Sequence, residues 1–199
     1  MNDTALRIKQ TALRLFTEYG FEGTSLSDIA QSVGIKTPSI YAHYKSKEQL
    51  FIRLVEDVIT EERDKWLQIM DGEDARGRSA KERLRMLFDF FTDFTGMSAG
   101  QSFLKRTMLV PPRGLEERIR ADIIAYEETL SSFLRGLLRE AEAEAGVEKP
   151  ADRGEQQIAV FYALIDGLLV EFQLYDAATH RKRIEAVWDW LWEGITRGG

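Results

Sequence analysis

The chain has 199 residues, 44% hydrophobic, 11% aromatic and 30% charged, which is enough apolar material for a sizeable core and is the balance of a soluble globular protein. Its 27 Lys and Arg stand against 33 Asp and Glu, a net charge of -6, and there is no cysteine. That excludes disulfide scaffolds, thiolate zinc sites and cysteine nucleophiles, and it argues against a protein built to coat nucleic acid or an anionic membrane. No apolar run approaches the roughly 18 residues that cross a bilayer. The opening MNDTALRIKQ lacks the basic-then-apolar layout of a secretory signal, so the expectation is a cytoplasmic protein.

Hydrophobic spacing then predicts helices in chain order at 4–19, 26–33, 37–44 and 47–70, followed by 79–95, 99–109, 114–145, 153–176 and 180–197. Ile8, Ala12, Leu15, Phe16 and Tyr19 recur at helical intervals before Gly20 offers a left-handed stop. Leu84, Leu87, Phe88 and Phe91 repeat the pattern, as do Ile119, Ile123, Tyr126, Leu130 and Phe133. Ile184, Val187, Trp188, Leu191, Trp192 and Ile195 make a last apolar stripe. The four prolines, at 38, 111, 112 and 150, fall at or outside helix starts. No strand alternation competes, so the fold class is all-α, with about nine helices. The first four are short and closely spaced, which predicts a small module over 1–47 and a larger helical bundle over 48–199.

The sharpest local signal is SLSDIAQSVGIKTPSIYAHY, residues 25–44. Ser25 with Asp28 fits a capping box, each satisfying an orphan backbone donor. Ile29, Ala30 and Val33 give a short apolar face, Gly34 suits the positive φ of a tight turn, and Ile35 can anchor that turn. Thr37 is a candidate N-cap, Pro38 suits the first helical position, and Ile40 and Tyr44 can face inward. Two helices joined this way describe a helix-turn-helix. Charge agrees: residues 29–47 hold three lysines and no acid. Residues 1–53 carry 7 basic and 5 acidic side chains, a net of +2, and the rest of the chain carries -8.

On these residues the stretch 11–51, TALRLFTEYGFEGTSLSDIAQSVGIKTPSIYAHYKSKEQLF, resembles the DNA-binding domain of the TetR/AcrR family of bacterial transcriptional regulators. The matching features are Tyr19-Gly20-Phe21, Gly23-Thr24-Ser25, Asp28-Ile29-Ala30, Val33-Gly34, Ile40-Tyr41 and the segment Tyr44–Phe51. The resemblance implies that the helix from Thr37 enters the major groove, with Thr37, Ser39, Tyr41 and Ala42 toward base edges or thymine methyls. It places His43, Tyr44 and Lys47 against the DNA backbone, with Lys36 and Ser25 on the same surface. Ser46 would cap the next helix, whose N-terminus can receive a phosphate. Tyr44 has core packing as an equal alternative, and Lys36 and Lys45 can equally be solvated charges.

The resemblance further implies a homodimer, a double-stranded operator with pseudo-palindromic half-sites, and a small, largely apolar effector held in the bundle. For that effector the candidates are Phe88, Phe91, Phe103, Met108, Tyr126, Phe161 and Phe172, beside Phe94 and Phe133, all of which can also be plain core. Residues 158–175 are apolar almost all round, and Trp190 lies off the Trp188/Trp192 stripe. This surplus predicts a dimer interface at the last two helices, with Leu169, Trp188 and Trp192 as candidates. Asp166 and Glu171 can face a cationic ligand, cap a turn or pair across the dimer.

Three other signals are weaker. GMSAG, residues 96–100, matches the G-x-S-x-G of serine hydrolases, and the order Ser98, Asp152, His180 fits, but the motif needs a strand before it and a sheet beneath it. The cluster 180–183 reads as the solvated start of the last helix, and the acids of 140–148 as a solvated helix end. No metal spacing, phosphate loop or cofactor fingerprint is present, so no metal and no cofactor are expected. The expected function is a ligand-responsive transcriptional repressor without catalysis. The alternatives are a helical interaction module whose helix-turn-helix does not bind DNA, and a serine esterase using Ser98.

Overall fold

A computed structural model describes residues 3–147, 150 and 153–197. The helices are α1 (Asp3–Tyr19), α2 (Leu26–Val33), α3 (Thr37–Tyr41), α4 (Lys47–Asp71), α5 (Ala80–Thr92), α6 (Ala99–Leu109), α7 (Glu116–Glu144), α8 (Arg153–Phe172) and α9 (Ala177–Thr196). Among the described residues there is no strand, so the all-α expectation holds. The chain forms two compact units, 1–63 with 97–126 and 64–96 with 127–199, and α4 and α7 contribute to both.

In the first unit α1, α2 and α3 close over one core with α6 and the first part of α4. Ile8, Ala12, Ile29, Ile40, Leu50 and Val55 are wholly buried there. Gly100 lets α6 approach α4 closely: a Cβ there would lie 3.3 Å from both methyls of Val58. An aromatic cluster of Phe16, Phe21, Phe51 and Phe103 fills the middle, with Phe51 5.0 Å from both Phe16 and Phe103. Such ring pairs add specificity beyond the area they bury.

The second unit packs α5, α8 and α9 with the later part of α7. Leu84, Leu87 and Phe88 of α5 are fully buried, as are Leu134 and Ala141 of α7. Trp188 is also core: it is 5% exposed, its ring lies 5.5 Å from Phe88, and the Arg85 guanidinium covers it at 5.3 Å. Assigning Trp188 to an outer dimer face is therefore corrected, because its own chain already covers it. Trp192 stacks on Trp188 at 6.2 Å and is half-buried, as is Leu169.

Several helix ends differ from the sequence reading for local reasons. Helix α5 stops at Thr92 rather than 95, because the Asp93 carboxylate accepts the Gly96 N–H and the Thr95 hydroxyl in a tight turn. Helix α8 stops at Phe172, and α9 begins at Ala177 because the Asp176 carboxylate caps the N–H groups of Ala178 and Thr179. His180 thus lies one turn into α9, 4% exposed, with Nε2 2.9 Å from the Leu168 carbonyl, and is not part of a solvated basic cluster. Arg183 pairs with Glu171 within the chain, which assigns Glu171 an internal role. The acidic end of α7 is also engaged: Glu144 accepts the Ala80 N–H at 2.9 Å and Glu140 pairs with Arg83. Glu148 lies outside the described residues.

Candidate nucleic-acid interface

The Ser25–Asp28 box forms as read. Ser25 Oγ accepts the Asp28 N–H at 3.1 Å, and the Asp28 carboxylate accepts the Ser25 N–H at 2.8 Å. The Ser25 hydroxyl, which also donates to this carboxylate at 2.7 Å, and then the Ser25 N–H hold Asp28 below the usual carboxylate range. At the other end of α2, Gly34 takes φ 78° and ψ 33°, and its N–H and that of Ile35 reach the Ala30 carbonyl. This is the left-handed helix stop that glycine makes without strain. The Arg7 guanidinium also donates to the Val33 carbonyl, pinning the end of α2 to α1.

Helix α3 is shorter than the sequence spacing suggests. Its N-cap is Lys36, with no side-chain cap bond, and Thr37 is its first residue, so the reading of Thr37 as N-cap is corrected. The helix closes at Tyr41 because the N–H groups of both His43 and Tyr44 turn back to the Ile40 carbonyl, at 2.8 and 2.9 Å. That turn, rather than a continued helix, carries Tyr44 inward. Tyr44 is 7% exposed, and burial pushes its hydroxyl pKa up, so of its two readings the structure supports core packing.

What remains outward is a compact polar surface. Tyr41 is 56% exposed, Lys36, Ser39, Ala42 and Lys45 are exposed, and Thr37 and His43 are half-buried. Lys47 is not free in the same way. Its ammonium donates to the carbonyls of Phe21 at 2.9 Å and Thr24 at 3.1 Å, and it lies 4.0 Å from the Phe21 ring centroid. Sequence reasoning saw a cation where the structure has a clamp between α4 and the loop after α1. Ser46 caps α4 as expected, accepting the Gln49 N–H at 3.2 Å. The Glu48 carboxylate, held low by the Ser46 hydroxyl and its own N–H, already occupies that helix end.

The aromatic candidates for an effector separate. Phe88 and Phe91 both meet Phe161, at 6.3 and 6.5 Å, in the second unit. Phe172 joins Phe94 and His180 at 5.7 and 5.5 Å, and Phe133 packs on Trp66 at 5.3 Å. Phe103 and Met108 belong to the first unit, Phe103 in its core and Met108 41% exposed, while half-buried Tyr126 ends that unit's last segment. Sequence reasoning missed the polar atoms among these side chains. The amide of Gln157, 7% exposed, and the indole N–H of Trp66, 1% exposed, have no hydrogen-bond partner among the described residues.

Ser98 has an ordinary task as the N-cap of α6. Its hydroxyl accepts the Gln101 N–H at 3.1 Å, and its own N–H donates to Gln101 Oε1 at 2.8 Å. A loop, not a strand, precedes it, and Asp152 lies outside the described residues.

The model of bacterial regulatory proteins of the tetR family matches residues 8–54. The negative transcriptional regulator IcaR of the biofilm operon icaADBC in Staphylococcus epidermidis is 45% identical over 51 residues, 26% of this chain and 28% of that protein. Three curated relatives are matched over only 28%, 29% and 42% of their own lengths. Solved structures extend the likeness in fold. A TetR-family transcriptional regulator from Streptomyces coelicolor superposes with a TM-score of 0.77 at 14% identity, covering 98% of this chain and 96% of that one. The transcriptional regulator FadR of Bacillus subtilis, solved in complex with stearoyl-CoA, gives 0.71 at 20% identity, covering 96% and 98%. Over residues 8–54 the chain is similar to the tetR family of bacterial regulatory proteins, and its fold along almost the whole length is that of solved TetR-family regulators.

Proposed function

We propose that the protein is a ligand-responsive transcriptional repressor, in which residues 1–47 read an operator and 48–199 bind an effector and dimerise. The observation that carries the reading is the outward face of α3 and its C-cap: exposed Ser39 and Tyr41 on a helix held by the Gly34 turn, with exposed Ala42 just after it, flanked by Lys36 and Lys45. Side chains of this kind at a helix-turn-helix meet base edges and thymine methyls, and lysines beside them meet phosphates. The matched part of IcaR, a negative regulator, supports repression.

A homodimer is supported by apolar surface on the last two helices and the loop between them. Val170, Leu174, Tyr175 and Trp190 are 55%, 69%, 42% and 60% exposed. A second copy covering them would place two readers on a twofold axis, suited to half-sites about 34–36 Å apart or multiples of that. For the effector, the stearoyl-CoA bound by FadR supports an apolar molecule. Gln157 and Trp66 would supply its polar anchors, since a buried amide without a partner gains most from a ligand that satisfies it. Transcription regulation in a bacterial cytoplasm needs no cofactor or catalytic group of this chain.

The test is fluorescence anisotropy with duplexes tiling the promoter beside the protein's own gene. One duplex is expected to bind at least about a thousandfold more tightly than random DNA at physiological salt. Equal affinity for all duplexes would reject a sequence reader. Any effector found must be bound more weakly by the operator complex, by the same factor with which it weakens operator binding.

A further inference from the structure

The first unit holds a cleft of about 240 Å³ that operator reading does not use. Its floor is aromatic, formed by Phe16, Phe21 and Phe51 with centroids 5.0–5.9 Å apart. Buried Pro112 gives it a stiff wall. Two arginines stand at its edge, Arg106 from the last turn of α6 and Arg113 from the loop that follows.

These arginines differ from most others in the same unit, and unlike Arg120, which also lacks a partner among the described residues, they line the cleft. Arg7, Arg14, Arg53 and Arg118 each donate to a carboxylate or carbonyl. Arg106 and Arg113 have neither an ion pair nor a side-chain hydrogen bond among the described residues, and Glu22 at the rim pairs with neither. Arg106 is also placed. A Cβ on Gly20 would come within 2.9 Å of Arg106 Nη2, so the guanidinium lies against the C-terminus of α1, where the helix dipole favours a cation. Apolar floor and unpaired cations together define the complement of an amphipathic anion.

We propose that this cleft binds a small organic carboxylate or sulfonate with an aromatic body, its rings on the phenylalanine floor and its charge on Arg106 and Arg113. The volume lies below the roughly 300–1,000 Å³ of sites for drug-sized ligands, which selects one or two fused rings. Because α1 and α6 both line the cleft, an occupant braces these two helices against each other within the unit.

The experiment is calorimetric titration of the full chain with 2-naphthoate, with methyl 2-naphthoate as the uncharged control, and hydrogen exchange on the naphthoate complex. One naphthoate should bind per chain, with protection gained in peptides covering 16–22 and 106–113. The methyl ester, and the variant combining Arg106→Gln with Arg113→Gln, should each lose about tenfold or more in affinity, since charge-assisted hydrogen bonds are the stronger kind. Both arginines are exposed, so circular dichroism of the variant should match the parent; Arg106→Lys, which keeps the charge, should retain part of the binding. Naphthoate that fails to bind at millimolar concentration, binds the double variant unchanged, binds no better than its ester, or protects only peptides of the second unit overturns the proposal.

Discussion

Lys47→Met separates two tasks that one cation can perform. The substitution keeps most of the apolar stem and removes two charge-assisted hydrogen bonds, to Phe21 and Thr24, and the contact over the Phe21 ring. Bonds of that kind contribute about 1.5–3 kcal/mol each and an exposed cation–π contact about 0.5–1. The ammonium is half-buried and the freed carbonyls can be partly hydrated, so the expected net loss is about 2–3 kcal/mol. It falls on the first unit, where α4 is tied to the loop after α1. Global melting of a two-unit chain does not isolate this loss, but hydrogen exchange does. Peptides covering 3–19 and 26–41 should exchange roughly thirty- to a hundred-and-fifty-fold faster at their slowest amides. The change should persist in high salt, because a clamp of this kind is screened little. Unchanged exchange, with a salt slope of DNA binding reduced by about 0.9 for each bound module, would show that Lys47 neutralises a phosphate instead.

Three further outcomes follow from the same geometry. A Cβ at Gly34 meets nothing within 4 Å, so Gly34→Ala should cost only the left-handed backbone, about 1–2 kcal/mol, and Gly34→Asn less; equal exchange rates in α2 for all three proteins would contradict this. Tyr162 donates to the Glu127 carbonyl at 2.9 Å, and burial pushes its pKa up to about 12. A folded pKa raised above the unfolded value means that its contribution is complete below about pH 10 and is lost as pH rises toward 12. Tyr162→Phe should therefore flatten the alkaline loss of stability in the second unit, and an unchanged pH profile would count against it. Trp190→Glu, at a side chain 60% exposed, should convert a dimer to monomer in sedimentation equilibrium without changing helix content, whereas a dimer that persists would move the interface elsewhere.

Sequence and structure agree where a signal is local. The Ser25–Asp28 box, the Gly34 stop and the Ser46 cap each rest on bonds within a few residues, and α2 and α6 occupy the residues their spacing implied. Disagreement begins where a side chain chooses between two distant partners. Trp188 presents an apolar stripe whether its cover is Phe88 or another copy of the chain. Lys47 is cationic whether it faces phosphate or the carbonyls of Phe21 and Thr24, 26 and 23 residues away. Tyr44 follows Ile40 at helical spacing, yet the backbone reaches the same inward position by a turn after Tyr41. The unpaired atoms of Gln157 and Trp66 were invisible because pairing is a property of the surroundings, not of residue type.

The charge balance also changes once partners are known. Residues 1–53 hold seven cations, but most are already engaged. Lys9 pairs with Asp57, Arg53 with Glu56, Arg7 serves the Val33 carbonyl and Lys47 the clamp. Arg14 pairs with Glu18 at 3.5 Å, long and exposed enough to be exchanged for phosphate. Lys36 and Lys45 have no ion pair among the described residues. Each module therefore brings two or three cations to the duplex. At about -0.9 per neutralised phosphate, two modules give log K against log salt a slope of about -3.6 to -5.4. That is shallow for a DNA reader, so under the proposed function specificity would rest on the exposed Tyr41, Ser39 and Ala42 face rather than on phosphate attraction. Anisotropy titrations between 50 and 200 mM salt measure the slope directly. A value near -10 would require cations that the modules do not have free, and would place phosphate contacts on the bundle despite its charge of -8.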